Sequence, residues 1–536
     1  MAWDYIIVGA GSAGCVLAYR LSANPKNNVL LVEAGGEDNS PQIRVPGGEV
    51  KAINNPKFNW QYMCEPDPSL NGRTDMWPGG KVLGGSSSIN GMVYLRGQHE
   101  DYDEWARLMG NRTDWSFRDV LPYFIRMEKN PLGPSDYHGV DGPLEVTNTP
   151  SPHPLTAVFL EAAQQAGIPF NADVNGATQE GAGPNQGTIR FGRRNSTAQA
   201  YLKPARARAN LTVITGAKAD KVVFEGNRAV GIRFLRDGQV QEERAEREVV
   251  IACGAIASPT VLLRSGIGPE AHLHDMGIDI VHHSPGVGQN LQEHPIVWVS
   301  AYVNISTYNM ELTPYYYAKH LSNWLFRGKG AAANSISHAV AFLRTRPETE
   351  TRPDIQLHFT PVGYDFGPEG LAMMKRSAVT IPVNVCRPNS RSDICLRASD
   401  PNEPPKINSR LLEDSDDMRR MIDGCRIVKR IVDAPAFQKH FEGIALPKAD
   451  VDMQSDTDME GFIRSYTLPT YHPVGTCKMG IDEMAVVDPR LRVIGAENLR
   501  VVDASIMPIV TSANTNAPTI MIGEKASDMI LQDAQN

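Results

Sequence analysis

Gly9-Ala10-Gly11-Ser12-Ala13-Gly14 is the first stretch whose residue types and spacing could do chemistry. Two of its glycines let the chain turn tightly and bring backbone against a pyrophosphate. The third lets a following helix lie close to a strand. The apolar run DYIIV (4–8) precedes it, and residues 13–22 follow with helical spacing. The glycines therefore open a helix whose free N–H groups face a bound phosphate. Glu33 closes the next apolar run, 29–32, about 20 residues on. A carboxylate there accepts from a ribose 2′-hydroxyl and repels a 2′-phosphate, which disfavours NADP. The pattern calls for a dinucleotide without separating FAD from NAD.

A second dense feature is the Gly- and Ser-rich run from Gly80 to Met92, GKVLGGSSSINGM. Consecutive Gly and Ser expose backbone N–H groups and permit close approach to a planar or anionic ligand. Near the C-terminus, His472 sits in a turn bounded by Pro473 and Gly475, and a histidine there could move a proton near neutral pH. Other chemistries find little support. The seven cysteines form no CxxC pair, His282, His283 and His294 lack metal-ligand spacing, and no G-x-S-x-G elbow occurs. No metal site is expected. Cys477, close to His472, reads as a small packed residue.

These residues need elements to hold them. Strand, tight turn, helix and strand make a βαβ unit at the N-terminus. Residues 46–97 are irregular and rich in Gly, Pro, Asn and Ser, which in so long a stretch points to function. The short runs LTVI, KVVF, VGIRF and EVVIA between 211 and 251 suggest a hairpin or meander, with turns at Glu225-Gly226-Asn227 and Asp237-Gly238. Between about 290 and 409 the runs VWVSAYV, HAVAFL, IQLHF, AVTIPVNV and ICLRA predict a largely antiparallel sheet. Helices are expected near 117–127, 154–166, 416–432 and 520–531. The segment 315–326, YYYAKHLSNWLF, is aromatic and partly amphipathic; it is expected to roof a substrate pocket, with a lipid surface as the alternative.

The chain has 536 residues, which favours two joined domains. Its net charge of −8 argues against a nucleic-acid partner. The densest basic run, RFGRR at 190–194, reads as a solvated loop or structural anchor. No apolar stretch is long enough to cross a membrane, and no basic leader precedes an apolar run. The expectation is a cytoplasmic protein with at most peripheral membrane contact.

The sequence resembles the glucose–methanol–choline family of FAD oxidoreductases. The resemblance rests on the Gly-Ser run continued through Tyr94, Gly97 and Asp103, and on Gly254-Ala255-Ile256-Ala257-Ser258-Pro259 with Ser265 to Gly268. It extends to Gly286 to Pro295, to His472 to Thr476, and to Val502-Asp503-Ala504-Ser505. It implies an α/β fold: a Rossmann-like FAD-binding domain from 1–150, 197–295 and 465–536, and an α+β substrate domain from 151–196 and 296–464. It implies that His472 is the general base and that Asn514 is its polar partner, with Asn516, expected to face the flavin, as the alternative for that position. Cofactor contacts implied with it are Gly9, Gly11, Ser12, Ala13, Gly14, Glu33, Ala34, Val82, Gly85, Ser86, Asn90, Gly91, Met92, Val93, Val222, Asp503, Ala504, Asn516 and Thr519. Val222 would hold adenine through its backbone. Asp503 would organise backbone N–H groups near the pyrophosphate. Ile89 stands where some members carry the histidine that links FAD covalently, so FAD is expected to be non-covalent. The activity implied is oxidation of a small alcohol by hydride transfer to the flavin, with electrons passed to a quinone-like acceptor. Alternatives are an oxidase using O₂ and a hydroxynitrile lyase. An NAD-dependent dehydrogenase would leave the Gly-Ser and C-terminal motifs unexplained.

Overall fold

Tyr5, Ile6, Ile7 and Val8 are all fully buried, and the strand they form, Trp3–Val8, lies at the centre of a seven-stranded sheet. A computed structural model describes residues 3–111, 114–367 and 370–535. The Trp3–Val8 strand pairs in parallel with Val29–Val32 on one side and Gln239–Ile251 on the other. Leu211–Ile214 and Leu499–Val501 extend the parallel part at its two flanks. Burial on both faces explains why these strands are continuous apolar runs rather than alternating ones.

The long strand Gln239–Ile251 does double duty. Its second half belongs to the parallel sheet, and its first half pairs antiparallel with Arg228–Arg236, which pairs with Ala217–Glu225. Asp237 and Gly238 both take positive φ, +51° and +74°, as a two-residue hairpin turn requires. LTVI therefore leaves the expected meander and joins the parallel sheet.

The second sheet is antiparallel, in the order Phe441–Leu446, Pro295–Val303, Ala378–Val385, Ile355–Phe359, Ala339–Leu343, Gly181–Pro184. The ICLRA run departs from expectation. Asp393–Cys395 pairs with Lys406–Asn408 in a separate two-stranded ladder. The helix Ser415–Asp433 lies against the second sheet, its buried face running from Met418 to Val432.

Each sheet has its own apolar core. Sequence order and packing part company in several places. Tyr62, Cys64, Leu70 and Trp77 pack into the second core, although the sequence groups 1–150 with the first unit. Leu468–Pro469 pairs with Pro295–Val303, which puts it on the second sheet.

Helix Ser12–Leu21 and the C-terminal helix Asn516–Asp533 pack tightly. A Cβ on Gly523 would stand 3.1 Å from Ala13 Cα. At their contact Glu524 is fully buried and takes Arg20, Arg126 and Tyr201 as partners at 2.7–2.8 Å.

Candidate active site

The parallel strands end in a cleft of about 1900 Å³ whose other wall belongs to the second sheet. Ligands of open α/β sheets bind beyond these carboxyl ends. Gly9, Gly11, Ser12, Ala13, Glu33 and Ala34 line the near end. Gly9 has a φ of +101°, and a Cβ on it would lie 2.5 Å from Ala252 O. Gly14 does not reach the cleft; it packs so closely on the preceding turn that a Cβ would stand 1.9 Å from Gly9 O. Helix Ser12–Leu21 has no side-chain cap at Gly11, so its N-terminal N–H groups open towards the cleft. Glu33 accepts from the Ala10 N–H at 2.8 Å and the Gly35 N–H at 2.7 Å. Burial pushes its carboxyl up to about 7, against the pull of those N–H groups and Lys81.

Gly85, Ser86, Asn90, Gly91, Met92 and Val93 continue the lining. A Cβ on Gly85 would come 2.7 Å from Gly11 Cα, so only glycine lets these two segments approach. Asn90 Oδ1 accepts from Arg194 Nη1 at 2.7 Å. Arg194 is thus the structural anchor of the basic run, buried under the Gly-Ser segment. Asp503 accepts from the Gly254 N–H, the Ser505 N–H and the Ser258 hydroxyl. Ala504 and Thr519 line the cleft beside it. Ser12 Oγ donates to Asn516 Oδ1 at 2.8 Å, tying the two phosphate-side helix starts together.

Two expected contacts are displaced. Val82 is fully buried in a small apolar cluster and does not line the cleft. Val222 donates its N–H to Ser265 Oγ at 2.8 Å, so that N–H is not free for adenine, and the residue does not line the cleft. Ala217, Lys218 and Ala219, earlier on the same strand, line the cleft instead.

The far end of the cleft holds His472 and Asn514. His472 follows Tyr471, whose φ of +70° is a left-handed conformation that costs about 1 kcal/mol or more in a residue with a Cβ. Thr470 fixes this turn by donating its N–H and its hydroxyl to His294 O. The His472 N–H donates to both oxygens of buried Glu293 at 2.8 Å. Its ring is settled by a chain of bonds. His294 Nε2 lies 2.9 Å from Cys386 O, a pure acceptor, so Nε2 carries the proton. His294 Nδ1 is then bare and accepts from His472 Nδ1–H at 2.9 Å. That leaves His472 Nε2 with its lone pair towards Asn514.

Asn514 is oriented by a second chain. Asn384 Nδ2 donates to Gln356 Oε1, and Gln356 Nε2 donates to Asn514 Oδ1. The Asn514 amide therefore turns its N–H₂ to His472 Nε2, at 2.9 Å. Burial holds His472 well below the ordinary histidine range, with His294 and His358 adding to the effect. The same burial brings His294 and His358 down to about 4. Glu293 goes the other way, pushed up to about 8. The centre is an uncharged imidazole with one lone pair facing an amide donor.

Sequence reasoning missed His294, Gln356 and Asn384 as partners of this pair. His294 stands in the quoted motif, but nothing in its spacing reveals a ring 2.9 Å from His472 across 178 residues. It also missed Glu49, a half-buried cleft-lining residue whose buried Oε2 has no hydrogen-bond partner. Burial pushes Glu49 up to about 8, opposed by Arg194.

The open helix start, the glycine cradle and the length of the cleft fit a dinucleotide carrying a flat ring near His472. The pattern of GMC oxidoreductases matches residues 3–296 and again 388–523. The chain belongs to the GMC oxidoreductase family. It is 43% identical to an oxygen-dependent choline dehydrogenase of Pseudomonas fluorescens (strain Pf0-1), covering 98% of this chain and 93% of that protein. It is likewise 43% identical to one of Sinorhizobium fredii, covering 99% and 96%. Among solved structures, pyridoxine 4-oxidase from Mesorbium loti superimposes with a TM-score of 0.89 at 30% identity, covering 100% and 99% of the two chains. Formate oxidase shares the fold with a TM-score of 0.93 at 24% identity, covering 100% and 99%. As a GMC oxidoreductase this chain is an FAD-dependent enzyme that oxidises an alcohol.

Proposed function

We propose that His472 is the general base for oxidation of a small alcohol and that Asn514 holds the developing alkoxide. The observation that carries this is the fixed tautomer: His472 Nε2 presents its lone pair beside the Asn514 amide donor. Bound FAD supplies the hydride acceptor. An alcohol hydroxyl that displaces the Asn514 amide hydrogen from the single Nε2 lone pair gives its proton to His472 Nε2. The resulting positive charge is shared with His294 Nδ1, which keeps accepting from His472 Nδ1–H. The second hydrogen of the Asn514 amide donates to the alkoxide without competing for the proton. His472 is buried and Asn514 half-buried, and the low dielectric around them strengthens these interactions.

In this reading the first sheet's unit holds FAD and the second bounds the substrate. Gly9, Gly11, Ser12 and Ala13 face the pyrophosphate, with Gly85 and Ser86 opposite. Glu33 and Ala34 face the ribose, and Asn90, Gly91, Met92 and Val93 pass the flavin. Asn516 and Thr519 close the flavin end, and Asp503 holds N–H groups in place near Ala504. Ala219, rather than Val222, receives the adenine. FAD is held without a covalent bond, because Ile89 has no nucleophile. Ile296, Trp298, Ile336, Thr360 and Pro382 line the substrate end.

Electrons leave to a quinone-like acceptor, and the enzyme works in the cytoplasm; seven free cysteines agree with a reducing setting. A second reading, O₂ as acceptor, is favoured by the relatives' description as oxygen-dependent. Anaerobic reduction by alcohol, followed by air or a soluble quinone, separates them. Recovery of the oxidised spectrum faster with quinone supports the first reading, and faster recovery in air supports the second. Choline, the alcohol in the relatives' names, belongs in that test panel.

A further inference from the structure

Helix Pro314–Arg327 was expected to roof the substrate pocket, yet none of its residues lines the cleft and none is buried. Its apolar residues face outward instead. Tyr317, Leu321 and Leu325, spaced four apart on one stripe, are 55%, 52% and 55% exposed, and Phe326 is 82% exposed. Leaving such a row in water is costly, and rows of this kind mark a contact surface.

A second element extends the row. The hairpin Ile189–Arg190 with Arg193–Arg194 carries Phe191 at its tip, 77% exposed. Trp324 Nε1 donates to Gly192 O at 2.6 Å. Gly192 lies so close to the end of the helix that a Cβ would stand 2.7 Å from Gly328 Cα. The hairpin tip is therefore clamped to the helix end, which sets exposed Phe191 against the last turn that carries exposed Phe326.

Charge selects the occupant. Arg190, Arg193, Lys319, Arg327 and Lys329 are exposed on these same segments. Arg190 lies over Phe191, Arg193 over Trp324 and Lys319 over Tyr316, at 5.6, 5.4 and 5.3 Å from the ring centroids. Glu145 pairs with Arg190, and Glu311 is taken by His320. Cations ring an exposed aromatic face on a chain whose net charge is −8. Aromatic and aliphatic side chains flanked by Lys and Arg suit the boundary between acyl chains and anionic headgroups. Among the described residues no helix is long and apolar enough to cross a bilayer, so the contact is peripheral.

We propose that helix Pro314–Arg327 and the Phe191 hairpin form a docking face for an anionic lipid surface. After the helix, the chain passes through the short turn Ala331–Ala333 to Ile336 and Ser337, which line the cleft. Docking would hold the substrate end of the cleft next to the membrane.

The test is co-sedimentation of the flavin-loaded enzyme with vesicles of phosphatidylcholine alone, and with about one-third phosphatidylglycerol. The proposal expects pelleting with the anionic vesicles, weakened by salt. Phe191→Ser with Phe326→Ser should lower partitioning at least about tenfold, as should Arg327→Glu with Lys329→Glu. Both pairs should keep bound flavin and turnover with a soluble dye. Wild-type enzyme remaining in the supernatant with both vesicles overturns the proposal. So does unchanged partitioning of both variants. A dimer that does not bind vesicles and that the Phe191→Ser, Phe326→Ser pair dissociates would assign the face to a second copy of the chain, again overturning it.

Discussion

His472 owes its chemistry to what surrounds it. A histidine free in water is half protonated near pH 6.5. Here burial, then His294 and His358, hold it neutral far below that. Alcohol-driven flavin reduction should therefore keep its rate as the pH falls through 6.5, in stopped-flow measurements. An acid limb centred near 6.5 would contradict the neutral, buried base. Asn514→Asp would place a carboxylate beside Nε2, favour the imidazolium and raise its pKa. The acid limb should then move up towards neutrality while flavin stays bound; an unmoved limb would mean that residue 514 does not touch the base in solution. His294→Phe removes the acceptor that fixes the tautomer. A loss of about tenfold to a hundredfold in reduction rate is expected, with the flavin spectrum retained. An unaffected rate would assign His294 to packing alone.

At the scale of elements, the helix Asn516–Asp533 carries the site's C-terminal wall and is fastened by Glu524. Removing that carboxylate leaves a buried void and takes the partner from Arg20 and from the Tyr201 hydroxyl, while Arg126 keeps Asp528. Glu524→Ala should cost about 1–3 kcal/mol in urea unfolding. A cost below about 1 kcal/mol would show that the helix is held by apolar packing alone. The sequence makes this helix legible only from 520, because its first turn, beginning at Asn516, lacks apolar periodicity. The N-terminal βαβ unit is legible almost to the residue: a buried strand, a glycine turn and a helix each leave a local mark. ICLRA was misplaced because an alternating run says that a strand exists, not which partner it takes. Val222 was misplaced for a related reason. Position along the strand Ala217–Glu225 decides which N–H is free, and Ser265, distant in sequence, had already taken that one.

For the molecule as a whole, two cores meet at one cleft, and the residues that meet there come from both ends of the chain. The glycine motifs and His472 as a turn-borne histidine were legible as types in patterns, whereas Asn514 came only from the family resemblance. The bonds from His294 and Gln356 were not, since they join segments over a hundred residues apart. A non-covalent FAD spanning the cleft should stabilise the fold by linkage, about 2.7 kcal/mol when free FAD is a hundred times its dissociation constant. Stripping it should lower the melting temperature, and adding it back should restore it. Acid precipitation should leave the flavin in the supernatant; yellow protein in the pellet would reveal a covalent bond that Ile89 cannot make.

The central claim is that His472 is the base for alcohol oxidation, and anaerobic titration of wild-type and His472→Ala enzymes with a panel of alcohols tests it most directly. The account predicts that at least one alcohol bleaches the wild-type flavin. The variant, equally yellow and equally reducible by dithionite, should respond at least about a hundredfold more slowly. Bleaching of His472→Ala at the wild-type rate would contradict it.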